Sequence, residues 1–157
     1  MSEKNVDIAR EVFPTPMEMV ALFGNADLLA ATRQAIEPRV DPDVETIGHP
    51  DFIAMAVDTG VKDGPPGLVA KGVDGFIRFW QDWLTAWDSW SIGESDFIEL
   101  DADRVLATYD AQARSKTSQV DISFRPAHLM TFRNGKVTRV ELFLNRPEAL
   151  EAAGLSE

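Results

Sequence analysis

The sequence predicts an α+β fold, with helices covering one face of a curved, mostly antiparallel sheet. Three observations carry this. The N-terminal part shows apolar residues at helical spacing. The stretch "VDGFIRFWQDWLTAWDSW" places Phe76, Trp80, Trp83 and Trp87 four, three and four residues apart, on one face of a helix. From Ser89 onward the chain reads as successive strand-like runs, the last two joined by "RNGK". Helices followed by strands point to α+β layering rather than to alternating βαβ units.

Taken in order, Asn5 can cap a short helix carrying Val6, Ala9, Val12 and Phe13, which "FPTP" interrupts because each proline disfavours helix in the residue before it. A second helical stretch is expected from Met17 to Ile36, bent near Gly24-Asn25 and ended by Pro38. "DVETIGH", Asp43 to His49, reads as a strand, and "PDFIAMAVD" as a short helix. "TGVKDGPPGLVAKG" is a Gly/Pro-rich loop. The aromatic helix is expected over Val73 to Asp88. The strand runs are "SWSIGESDFIEL", "RVLATYDAQARS", "QVDISFRPAHLMTFR" and "KVTRVELFLNR". "NG" between apolar runs signals a tight hairpin, because both turn residues take φ > 0. A last helix from Pro147 to Ala153 has Gly154 placed to cap it.

The 157 residues suit one domain, 1–157, with a real core. No apolar run reaches membrane-spanning length, and "MSEKNVDIAR" lacks the apolar segment of a signal peptide, so a cytoplasmic protein is expected. A net charge of −11 argues against nucleic acid and anionic membranes as partners. Without cysteine there is no disulfide or thiolate chemistry. Two histidines in no ligand spacing give no metal signal, and "DADRV" and "DPDVE" read as turns. No cofactor is expected.

His128 is the polar oddity. Strand alternation puts Ile122, Phe124, Pro126, His128, Met130 and Phe132 on one face, and Ser123, Arg125, Ala127, Leu129 and Thr131 on the other. On the partner strand Val140, Leu142 and Leu144 share a face, opposite Arg139, Glu141 and Phe143. A lone histidine on an apolar face is most often a satisfied core residue. In "ATYDAQ", Asp110 sits beside Tyr109 and the two point opposite ways. If Asp110 is on the concave side it can orient His128 as an acid–base pair; one residue out of register, Tyr109 faces in instead.

The words "DPDVET", "KGVDGFIRFWQDWL", "DADRVLATY" and "HLMTFRNGKVTRVELFLNRPEALEAAGL" resemble the SnoaL-like family of the nuclear-transport-factor-2-like superfamily over most of Asp41 to Leu155. The extra length before Asp41 departs from that pattern. The resemblance implies a cone-shaped α+β barrel enclosing an apolar pocket, and a homodimer packed through the convex sheet face, where Phe143 would serve as a contact. Relatives include polyketide cyclases, ketosteroid isomerases, limonene epoxide hydrolases, scytalone dehydratases and proteins that only bind.

Counted from the turn, His128 stands where ketosteroid isomerases place their oxyanion-binding acid. Their general base corresponds to Thr46, and epoxide hydrolases carry a carboxylate near Leu142. Neither group is present, which argues against both reactions. His49 or Asp51 could replace the base, but both sit at the strand exit, where facing solvent or capping is the better reading. The expected function is a cofactor-free cyclase, isomerase or dehydratase acting on a hydrophobic carbonyl compound, with His128 and Asp110 catalytic. Thr46, His49, Phe79, Trp80, Trp83, Phe124, Met130, Leu142 and Leu144 are expected to line the pocket. The alternatives are a protein that binds an apolar ligand without chemistry, and a structural dimer whose cavity is filled by tryptophans.

Overall fold

The computed structural model describes residues 5–13, 17–48, 69–85, 87–116, 119–143 and 146–154. Helix α1 (Asn5–Val12) buries Ala9 and Val12 as its spacing predicts, with Phe13 buried just past its end, but it buries Ile8 as well and leaves Val6 only half-buried. The expected helix over 17–36 is divided. A two-residue strand β1 (Met17–Glu18) leads into α2 (Met19–Phe23), and α3 (Ala26–Ile36) follows. The break falls at Gly24-Asn25, where the Asn25 carboxamide oxygen accepts from the Leu28 amide at 3.0 Å and caps α3. Glu18 caps α2 and also accepts from the Trp90 amide at 3.1 Å, tying the helices to the sheet. Pro38 does not stop the helix outright. It lies in a 3-10 turn, Glu37–Arg39, that feeds strand β2 (Val40–Gly48).

Strand β3 (Val69–Lys71) precedes the aromatic helix α4 (Gly72–Leu84). Trp87, expected on that helix, instead opens strand β4 (Trp87–Ile92). Then come β5 (Asp96–Glu99), β6 (Arg104–Thr108), β7 (Ala111–Ser115), β8 (Asp121–Phe124), β9 (Ala127–Arg133), β10 (Lys136–Phe143) and helix α5 (Arg146–Ala152). The helix expected at 50–58 lies outside the described residues.

Two sheets result, ordered β1-β4-β7-β8 and β3-β2-β10-β9-β6-β5. The runs expected as single strands bend between them. β6 passes to β7 through Tyr109-Asp110, and β8 to β9 through Arg125-Pro126. These bends are the strong curvature the sequence predicts. Among the described residues the surface is not closed into a barrel, and one pairing, β2 with β10, is parallel. The β9–β10 turn is as expected, with Asn134 at φ 52° and Gly135 at φ 75°.

The main core fills the space between the helices and the concave face, with Phe79, Trp80, Trp83, Met130 and Leu142 fully buried. A second, smaller core lies on the convex face, where α5 covers Leu106, Leu129 and Phe143. Phe143 is 2% exposed, so it does not offer the dimer contact expected of it: the chain's own C-terminal helix takes that place. No helix among the described residues is long and apolar enough to cross a membrane.

Candidate functional site: a helix-lined pocket above a Tyr–His pair

His128 sits in the middle of the six-stranded sheet, opposite Leu142 on β10 and Ala107 on β6. Alternation turns its side chain inward with Met130 and Phe132, as predicted. Its partner is not Asp110. Along β6, the bend and β7, the inward positions are Val105, Ala107, Tyr109, Ala111 and Ala113. The Tyr109 hydroxyl lies 2.8 Å from His128 Nε2, and the roles of donor and acceptor follow the imidazole tautomer.

Asp110 points the other way. Its exposed carboxylate faces Arg125 Nε at 3.5 Å and Arg146 Nη2 at 3.8 Å. The same Arg146 Nη2 donates to the Tyr109 carbonyl at 3.3 Å. So Asp110 belongs to a surface cluster that braces the bend at Tyr109 from outside, and the inward register is Tyr109's. The signal was in "YDAQAR", whose alternate residues Asp110, Gln112 and Arg114 form a polar stripe.

Both groups of the pair are buried and uncharged near neutral pH. Burial pushes the His128 imidazole from 6.5 down to about 3, and raises the Tyr109 phenol well above its usual range. Among the described residues no carboxylate faces them. Aromatic rings enclose them instead. Phe13 lies 4.6 Å from His128 and 5.3 Å from Tyr109, centroid to centroid, and Trp80 lies 5.7 Å from His128.

Phe13 and Trp80 also form the floor of a pocket of about 240 Å³. Its walls come from Met19, Phe23, Leu29, Ile36, Phe76 and Ile77, on α2, α3 and α4. Among the described residues, Thr32 and Arg33 bring polar side chains to it. The Thr32 hydroxyl donates to the Leu28 carbonyl at 2.8 Å. Arg33 is held between Glu37 at 2.6 Å and Asp74 at 2.5 Å, which raises its pKa further. Among the described residues the pocket therefore presents apolar walls, and its one charged side chain is ion-paired.

Of the residues expected to line a pocket, Trp80 does so. Phe79, Met130 and Leu142 are closed into the main core. Trp83 packs against Trp87 at 5.7 Å and Trp90 at 5.3 Å, and Phe124 stacks on Trp90 at 5.3 Å. Thr46 is fully buried on the inner face of β2, and its hydroxyl has no hydrogen-bond partner among the described residues. His49 and Leu144 lie outside the described residues. Phe13 was missed as a site residue, although it ends the apolar stripe of α1. Among the described residues no cluster of three or more His, Asp or Glu side chains could hold a metal ion.

No family model and no curated protein matches the sequence. Solved structures do. A putative SnoaL-like polyketide cyclase from Jannaschia sp. CCS1 is similar at a TM-score of 0.63 and 12% identity, over 98% of this chain and 93% of that one. TerC, co-crystallized with polyporic acid, is similar at 0.62 and 19% identity, over 96% and 98%. An NTF2-like protein of unknown function from Burkholderia pseudomallei K96243 gives 0.61 and 16%, over 96% and 97%. The chain has the NTF2-like fold. Identities this low carry the architecture and not the chemistry. Within the NTF2-like fold, this chain combines a helix-lined apolar pocket with a phenol–imidazole pair buried beneath its floor.

Proposed function

We propose that this protein binds a neutral, predominantly apolar small molecule in the pocket among α1, α2, α3 and α4. The carrying observation is the pocket's lining: apolar walls, with Arg33 already neutralised by two carboxylates. Ligand pockets are concave, mostly apolar and sparing in polar groups, and this one is of that kind. TerC, a structural neighbour, was co-crystallized with a small molecule, polyporic acid, which supports a ligand-holding role for the fold. The uncharged dye N-phenyl-1-naphthylamine tests the reading. Its fluorescence should rise on saturable binding, and Leu29→Asp should weaken that binding at least about tenfold by placing a carboxylate in the wall. A dye that does not bind, or binds the variant equally well, overturns it.

A second reading, a cofactor-free cyclase or isomerase acting on a carbonyl compound, is favoured by the 2.8 Å Tyr109–His128 contact. With the imidazole in the tautomer whose Nε2–H donates to the Tyr109 oxygen, the phenol, kept protonated by burial, has its own O–H free to donate to a carbonyl oxygen. In this reading Tyr109 takes the place beside His128 that the sequence suggested for Asp110. Turnover of a true substrate that survives His128→Ala would rule it out. We also propose a homodimer through the convex face of the four-stranded sheet, the outer sheet surface that α5 leaves uncovered.

A further inference from the structure

We propose that Phe13 is the specificity-determining residue of the pocket: its ring is the floor that separates a ligand from the Tyr109–His128 pair, and replacing it by a small side chain admits aromatic ligands bearing a hydroxyl. The inference rests on the pocket reading above. Phe13 is shared by both sites. It lines the pocket, and its ring contacts both members of the pair, 4.6 Å from His128 and 5.3 Å from Tyr109. It is 4% exposed. Its tilted ring occupies space that an aryl group could fill against the same partners.

The backbone at Phe13 is anchored to α1. The Phe13 amide donates to the Ala9 carbonyl at 2.9 Å, one residue past the helix end. Trp80, the other ring in the floor, is fixed within α4. Truncating Phe13 therefore leaves the pair in place and removes the partition. The space uncovered is capped by groups that can recognise a hydroxyl. One hydrogen bond joins Tyr109 and His128, and a phenolic oxygen has capacity for another whichever tautomer is present. A ligand hydroxyl would donate to that oxygen. With the Phe13 ring present, the same ligand meets that ring in place of the phenolic oxygen.

The test compares wild type, Phe13→Ala and Phe13→Val, using phenol and toluene as probes and the His128 imidazole nitrogen resonances as the reporter. In Phe13→Ala, phenol should bind at least about tenfold more tightly than in wild type and shift the His128 signal saturably. Toluene should fill the same space and leave the hydrogen-bonding nitrogen nearly unmoved. Phe13→Val keeps a branched apolar side chain in the core but vacates the outer half of the ring. It carries the same prediction should Phe13→Ala not fold. A folded variant whose His128 signal ignores saturating phenol overturns the proposal, as does a wild type that responds equally. Dye binding to wild type, measured in parallel, separates the two ideas. Dye binding without a phenol response overturns only the role of Phe13, whereas absent dye binding overturns the pocket reading beneath it.

Discussion

His128 carries the least visible chemistry and the clearest pH consequence. Folded, it takes a proton only near pH 3; unfolded, it does so near 6.5. Between those values the unfolded chain binds more protons, so stability rises with pH across the window. The contribution is fully present above about pH 6.5 and is lost as pH falls toward 3. At pH 5 the loss from this group is about 2 kcal/mol, from 1.5 pH units at about 1.4 kcal/mol each. Urea unfolding of wild type and His128→Gln at pH 7 and pH 5 checks this: wild type should lose about 2 kcal/mol more than the variant. Equal losses would mean that His128 is not held neutral by burial. Residue identities made His128 conspicuous, but its partner depended on a register. A lone polar residue on an apolar run announces itself; the group that satisfies it comes from the β6–β7 bend, nineteen positions away.

At the scale of elements, legibility followed how many faces each element buries. Helix α1 and hairpin β9–β10 were readable because one face or one turn dominates. Asn134-Gly135 fixes the hairpin by φ > 0 at both turn residues. Strand β6 was not readable on its own, since Val105, Leu106 and Ala107 are all fully buried. The main core takes one side and the α5 core the other, so alternation carries no signal there. The polar stripe resumes only on β7, beyond the cover of α5. Trp87 was misplaced for a related reason: its spacing continues the helical stripe of α4, while it actually opens β4 and meets Trp83 from a neighbouring element. Helical spacing and spatial adjacency coincide there without a common helix.

For the whole molecule, the architecture was legible and the location of the pocket was not. An amphipathic stripe says that a face is covered; it does not say whether side chains or a ligand cover it. Phe79, Trp83, Met130 and Leu142 face the concave sheet as expected, yet they meet one another there, and the open volume lies higher, among the helices. Assembly is argued at this scale too. The convex face of the six-stranded sheet is capped by α5, whereas the outer face of β7 and β8 shows Gln112 bonded to Ser123 and Arg114 paired with Asp121. A dimer formed there should scatter light as twice the 17.4 kDa chain, and Ser123→Arg should return it to one chain without unfolding it. A wild type that runs as a monomer at micromolar concentration removes the dimer.

The tryptophans give the molecule an optical division of labour. All four are buried, and three of them, Trp83, Trp87 and Trp90, stand within 6 Å of one another, ring to ring. Trp80 alone reaches the pocket. Excitation absorbed by the cluster has a short path between its indoles, so the intrinsic emission reports mainly on the integrity of the core. The part that an occupant of the pocket can quench belongs to Trp80, a label already built into the floor.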